Sequence, residues 1–165
     1  MKPVQTKTKT NAARLLDSLG IHYELRAYQI DPDDLSAPSV ARKLGMPAEQ
    51  VFKTLLTEAS TGEHFFAVVP GDQELDLKKL ALAAGVKKLE LASLKQVEPL
   101  TGYIRGGVTV LAAKKSFPAF ADETIQLFDS ISVSAGQRGL QLILAPADYL
   151  RASAATLADL TRASA

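Results

Sequence analysis

Residues 51 to 71 constrain the fold more than any other stretch. Two runs rich in β-branched and aromatic residues, VFKTLL and FFAVVPG, flank the turn-forming STGEH, a pattern that reads as a β-hairpin. In extended backbone Val51, Lys53 and Leu55 share one face, and Phe52, Thr54 and Leu56 share the other. With apolar residues on both faces, the strand has to be well covered. An ammonium on such a strand costs stability unless its stem snorkels to water or its head meets an anion. The strand pattern alone leaves both answers open for Lys53.

Around this hairpin the chain alternates short helices and strands without a fixed repeat. The first ten residues are polar, carry three lysines and read as a flexible basic arm ahead of a single domain over 11–165. Asn11 is placed to cap the helix NAARLLDSLG, which Gly20 stops. HYELRAYQI alternates as a strand until the aspartates and prolines of IDPDDLSAP break it. Ser36 or Ser39 opens a helix through ARKLG, and LDLKKLALAAG gives another that ends in glycine. A short strand near KKLELA and a helical SLKQVEPLTG follow. Strands are expected around GGVTVLAA, ISVSAG and LQLILAP, then a helix from Pro146. Irregular mixing of this kind favours one mixed α/β (α+β) domain with a curved sheet over a doubly wound fold.

The residue inventory excludes several chemistries. There is no cysteine, hence no disulfide, thiolate ligand or cysteine nucleophile. The two histidines, His22 and His64, lie at a strand start and beside a turn, read as strand-end surface residues, and neither accompanies a GxSxG elbow. No HxxxH pattern suggests zinc, and Asp31, Asp33 and Asp34 lack the glycine and distal glutamate of an EF-hand. No metal or cofactor is therefore expected. The N-terminus has no apolar signal region and no run is long enough to span a membrane, so a soluble, cytoplasmic protein is expected.

Glycine and basic residues carry the remaining signals. Gly106 and Gly107 in GYIRGGVTV, and Gly136 and Gly139 around Arg138 in VSAGQRG, permit positive φ and close approach of a ligand to bare backbone. Two ordinary hairpin turns explain them equally well. Lys78-Lys79, Lys87-Lys88 and Lys114-Lys115, with Arg105 and Arg138, form either a solvated face or a phosphate-binding surface. The net charge of +1 does not decide between them.

In order along the chain, RAYQID, QVFKTLL, LDLKKLALAAGVKKLELA, TGYIRGG, Lys114-Lys115 and VSAGQRG resemble the YbaK-type aminoacyl-tRNA deacylases, relatives of the editing domain inserted in bacterial prolyl-tRNA synthetase. The resemblance spans about residues 11 to 150. It implies a mixed α/β fold around a barrel-like sheet, and trans-editing by cleavage of the aminoacyl ester of a mischarged tRNA, Cys-tRNA(Pro) first. It also implies a tRNA 3′ end as partner, with prolyl-tRNA synthetase a possible second. Lys53 matches the family's essential lysine, Thr54 the adjoining threonine, Tyr28 the tyrosine before the acidic turn, and Asp148 a late acidic residue near the site. Gly106 and Gly107 match a double glycine whose backbone lines the aminoacyl pocket. Arg138 is placed with the substrate.

The chain departs from the family pattern GGxSPxG, reading GGVTVLA, with Thr109, Val110 and Ala112 at the serine, proline and last glycine. Threonine keeps the hydroxyl and adds a methyl, so the pocket's shape and its cysteinyl preference are both affected. The inventory offers no convincing protein nucleophile or general base. It fits the family's substrate-assisted route, in which the cysteinyl thiol attacks its own carbonyl. Backbone N–H groups at Gly106 and Gly107 are expected to stabilise the oxyanion, and Lys53 to orient ester and ribose. A non-catalytic aminoacyl-tRNA or synthetase binding module on the same fold is the alternative.

Overall fold

The hairpin forms as expected in the computed structural model, which describes residues 9–163. Strand β2 (Phe52–Ala59) pairs antiparallel with β3 (His64–Pro70), Lys53 opposite Val69. The hairpin lies inside a five-stranded mixed sheet with β3 at its centre. β5 (Leu89–Leu91) lies against β2, while β6 (Ala119–Asp122) and β9 (Thr156–Ala158) extend from β3 in parallel. A second sheet orders β1 (Glu24–Ala27), β8 (Leu140–Leu144) and β7 (Ile131–Gln137), all antiparallel, and a third pairs β4 (Gln73–Leu75) with β10 (Thr161–Ala163). A lone parallel bridge, Val51 to Ser132, joins the first two sheets at the entry to β2. The result is a mixed α/β domain whose sheets bend around one another but do not close into a barrel.

Both faces of β2 are covered, as its apolar pattern requires. On one side Phe52 packs with Ala12 and Leu16 of α1 (Asn11–Ser18), with Val133 and Leu142, and with Tyr149 of α5 (Pro146–Ser153). On the other, Leu55 packs against a core of Val69, Leu75 and Leu160 with Leu80 of α3 (Leu77–Ala84). A smaller core joins Val51 to Val40, Ala41 and Leu44 of α2 (Ala37–Leu44).

The helix signals behave as the sequence implies, with small shifts. Thr10, not Asn11, caps α1 through its Oγ1, and Lys9 reaches Asp17 at 2.6 Å, so the last two residues of the expected basic arm belong to the helix start. The rest of the arm lies outside the described residues. Ser36 caps α2, and Ser93 closes a capping box with Gln96 on α4 (Leu94–Thr101). Asp31 and Asp34 accept hydrogen bonds from the backbone of Asp33 and Ser36, a solvated turn as their composition suggests. His64, expected at the surface, is largely buried, its ring 5.1 Å from that of Phe117 and its Nε2 3.4 Å from Glu58. Nε2 meets no hydrogen-bond geometry there. Among the described residues no helix is long and apolar enough to cross a membrane.

One expected strand is absent. GGVTVLAA forms no ladder; residues 102 to 118 run as an irregular loop between α4 and β6. The strand instead begins at Ala119.

Candidate functional site

The two glycine motifs interlock. Gly107 is buried, and a Cβ on it would stand 2.9 Å from Gln137 Cα and 3.2 Å from Arg138 N, backbone against backbone. At Gly136 a Cβ would meet the Tyr103 ring at 2.9 Å. Tyr103 in turn donates its hydroxyl to Leu111 O at 2.6 Å, and Lys114 N closes the loop base on Thr101 O at 2.8 Å. Bare backbone on the β7–β8 hairpin thus lets the loop dock, and Tyr103 rivets it there. The β-branched run Val108–Val110 has strand propensity, but this docking overrides it.

Arg138 lies across the junction. Its Nε donates to Arg105 O at 2.8 Å, and its Cγ is 3.2 Å from where a Gly106 Cβ would stand. Gly106 has φ +91° and also faces Leu35 Cδ1 at 3.5 Å. Tyr28 N donates to Gly139 O at 3.0 Å, and the Lys43 ammonium sits 5.9 Å from the Tyr28 ring centroid. Tyr28, Gly106, Gly107 and Arg138 are therefore one contiguous unit.

Gly107, expected to offer its N–H to an oxyanion, sits within the loop's own turn. Its N–H already donates to Ile104 O at 2.8 Å in a tight turn, and the residue is buried, so its contribution is closeness of packing. Among the described residues no hydrogen bond takes the N–H of Gly106, which is only half-buried. The Thr109 side chain is 0% exposed and its Oγ1 accepts from Leu111 N at 3.3 Å, so it shapes the loop from beneath.

Lys53 is half-buried near the start of β2. Burial holds its ammonium below the ordinary lysine pKa, and the carboxylates of Glu74 and Asp72 oppose that shift. Thr54 points to the opposite face by alternation, 9% exposed, and is a support beneath the strand, not a ligand contact. Its neighbour there is Tyr149, fully buried, whose phenol burial pushes well above its usual pKa. The Thr54 and Ser153 hydroxyls oppose that rise, although neither Thr54 Oγ1 nor Tyr149 Oη attains hydrogen-bond geometry. Asp148 sits half-buried on the first turn of α5, and among the described residues no hydrogen bond or ion pair joins it to Lys53 or the glycine loop.

Segment 35–37 links the lysine to the glycines. Leu35 meets Gly106, and Ala37 Cβ stands 2.8 Å from where a Gly71 Cβ would lie. Gly71 N donates to Val51 O at 2.8 Å and Ala48 O at 3.1 Å, and the next residue is Asp72. Sequence reading missed Leu35, Gly71, Asp72, Glu74 and Tyr103. PGD marks a turn, but nothing local ties that turn to Lys53. An open cleft of 540 Å³ lies nearby, bounded by Gln29, Ile30, Asp31, Pro32 and Lys43. None of Lys53, Gly106 and Gly107 lines it, so the interlocked backbone, not this cleft, defines the site. Among the described residues no cluster of side chains suits a metal ion.

A half-buried cation and an unpaired backbone N–H can bind an anionic or carbonyl-bearing ligand; they supply neither a nucleophile nor a strong base. The model of the aminoacyl-tRNA editing domain matches residues 31–152. A protein of Enterococcus faecalis named as a proposed Cys-tRNA(Pro)/Cys-tRNA(Cys) deacylase, EbsC, is 44% identical over 161 residues, 98% of each chain. The multifunctional Ser/Thr-tRNA deacylase ProXp-y of Escherichia coli is 33% identical over 101 residues, 61% of this chain and 60% of that one. A solved structure described as a proposed trans-editing enzyme for prolyl-tRNA synthetase superposes with a TM-score of 0.80 at 24% identity, covering 94% of this chain and 99% of that one. With the domain running from the acidic turn to the end of α5, across Lys53 and both glycine motifs, the chain belongs to the aminoacyl-tRNA editing domain family.

Proposed function

We propose that this protein is a trans-editing deacylase that cleaves the aminoacyl ester at the 3′ end of a mischarged tRNA, with Cys-tRNA(Pro) as its first substrate. The observation that carries this reading is Lys53. An ammonium kept half-buried on an interior strand of an editing domain, at a net stability cost from desolvation, is retained for a ligand with anionic and hydroxyl-rich character. Lys53 orients the ester and terminal ribose. The Gly106 N–H is the donor left for the developing oxyanion, a contribution of roughly 3 to 4 kcal/mol for one good donor. Arg138 lies beside that donor, with Tyr28 one contact further on at Gly139. Asp148 on α5 is the group assigned to hold a water where one is needed.

For a cysteinyl ester the nucleophile is the substrate's own thiol. The S–C bond forms, the ester C–O bond breaks, and the ribose oxygen leaves with the thiol proton. The protein positions and stabilises, which matches a site without base or nucleophile. The reading places the protein in the cytoplasm with the translation machinery, and prolyl-tRNA synthetase is the partner suited to present tRNA(Pro).

The test is a deacylation panel of Cys-, Ala-, Ser- and Pro-charged tRNA(Pro) at substoichiometric protein, repeated with Lys53→Ala. Multiple turnovers on Cys-tRNA(Pro), lost in Lys53→Ala with the thermal midpoint unchanged or raised, are expected. Binding without turnover would make the protein a non-catalytic module, and full turnover by Lys53→Ala would remove the lysine from the mechanism.

A further inference from the structure

The carboxylates that oppose the desolvation of Lys53 come from one structural device. Strands β2 and β3 end together, Phe52 opposite Pro70, and the chain then turns through Gly71. That turn is bolted to the entry of β2 by the two hydrogen bonds of Gly71 N, to Val51 O and Ala48 O. The room for it exists only because position 71 has no side chain. A Cβ there would stand 2.8 Å from Ala37 Cβ and 2.9 Å from each of Ala48 O and Val51 O. Asp72 is the next residue, and Glu74 follows at the middle of β4, where β10 clamps it in register with Arg162.

We propose that Asp72 and Glu74 are positioning residues for Lys53, kept near its ammonium by the Gly71 turn and the β4–β10 ribbon so that the group stays charged and localised where the aminoacyl ester binds. This assignment rests on the reading of Lys53 as the substrate-orienting group. Two acids on a short, clamped strand and a bolted turn lose little entropy when they hold the cation. Neither carboxylate is buried, and the pair acts as a local negative field. The other charge facing Glu74 is Arg162 of β10, at 3.6 Å. It draws part of that field away from Lys53. Burial pulls the lysine toward its neutral form and the acids oppose this, so their removal allows the proton to leave at lower pH.

The experiment compares wild type, Glu74→Gln, Glu74→Asp and the double variant Asp72→Asn with Glu74→Gln. One readout is the pH profile of kcat/KM on Cys-tRNA(Pro). The second is independent of turnover: NMR titration of Lys53 after reductive 13C-methylation, its signal identified by its loss in Lys53→Arg. The alkaline limb and the Lys53 titration should both move to lower pH in Glu74→Gln and further in the double variant. Glu74→Asp should recover part of the shift. A Lys53 titration unchanged in both Gln-bearing variants overturns the proposal. Should Asp72→Asn disturb the turn and lower the thermal midpoint, Glu74→Gln on an exposed strand position decides alone. If Lys53→Ala keeps turnover, the catalytic reading falls while the titration still tests the carboxylates, so the two failures are distinct.

Discussion

Ala112 holds φ +56°, a conformation that costs an L-residue roughly 1 to 2 kcal/mol. It is the third residue of a turn closed by Ala113 N on Val110 O at 3.3 Å, and it stands where the family pattern has glycine. The backbone has kept the glycine conformation after the glycine was lost. Ala112→Gly should therefore stabilise the protein by about 0.5 to 1 kcal/mol, less than the full strain because glycine also loosens the unfolded chain. A higher urea midpoint at unchanged m-value would check it; a lower one would mean the turn relaxes around alanine at no cost. Lys53 was legible at this scale because a charge interrupts a two-sided apolar run. The orientation of Thr54 and Thr109 was not. A hydroxyl is compatible with surface and interior alike, and only α5 packing over one and the loop folding over the other turn them inward.

Among the elements, the hairpin and the five helices follow from turn residues, caps and glycine stops that act within a few residues. The loop 102–118 does not, since its shape depends on Gly136 and Gly107 lying bare against each other's elements, a contact between parts of the chain some 30 residues apart. Strands β4, β9 and β10 are three residues each, too short to show a period. AFAD was missed as a strand because its parallel pairing to β3 is a long-range decision. The same loop carries the selectivity prediction. Thr109→Ser with Val110→Pro restores the family pattern. Serine can keep the hydroxyl bond to Leu111 N, and among the described residues no hydrogen bond uses the Val110 N–H that proline deletes. The double variant should fold, losing about 0.5 to 1.5 kcal/mol for the buried methyl and recovering part of it from the proline. It should change the ratio of Cys- to Ala-tRNA turnover within the roughly 10 to 200-fold range that a methylene-sized change in a pocket produces. A constant ratio would show that selectivity is set elsewhere.

At the scale of the whole molecule, the balance of 19 basic and 18 acidic residues hides an uneven placement. Lys114 and Lys115 are exposed within the loop that carries Gly106, and Lys114 Cβ lies 3.6 Å from where a Gly102 Cβ would stand. Lys87 and Lys88 are exposed beside β5, whose Leu89 pairs with Ala59 at the opposite end of β2 from Lys53. Six residues of strand separate Lys53 from Ala59, a distance of roughly 20 Å. That is about twice the screening length at physiological salt, so Lys87 and Lys88 cannot serve a phosphate group that Lys53 meets. In the proposed reading of the site, Lys114 and Lys115 are the exposed basic pair on the loop that carries Gly106 and so the first candidates to meet phosphates of a bound 3′ end. Binding of tRNA should accordingly weaken with salt, and Lys114→Ala with Lys115→Ala should flatten the log–log slope by about 1.4 to 1.8, two phosphate contacts' worth of counterion release. Lys87→Ala with Lys88→Ala should flatten it less. Equal slopes for all three proteins would make the lysines a solvated face, and a larger effect at Lys87 and Lys88 would place the tRNA body across the β5 edge instead.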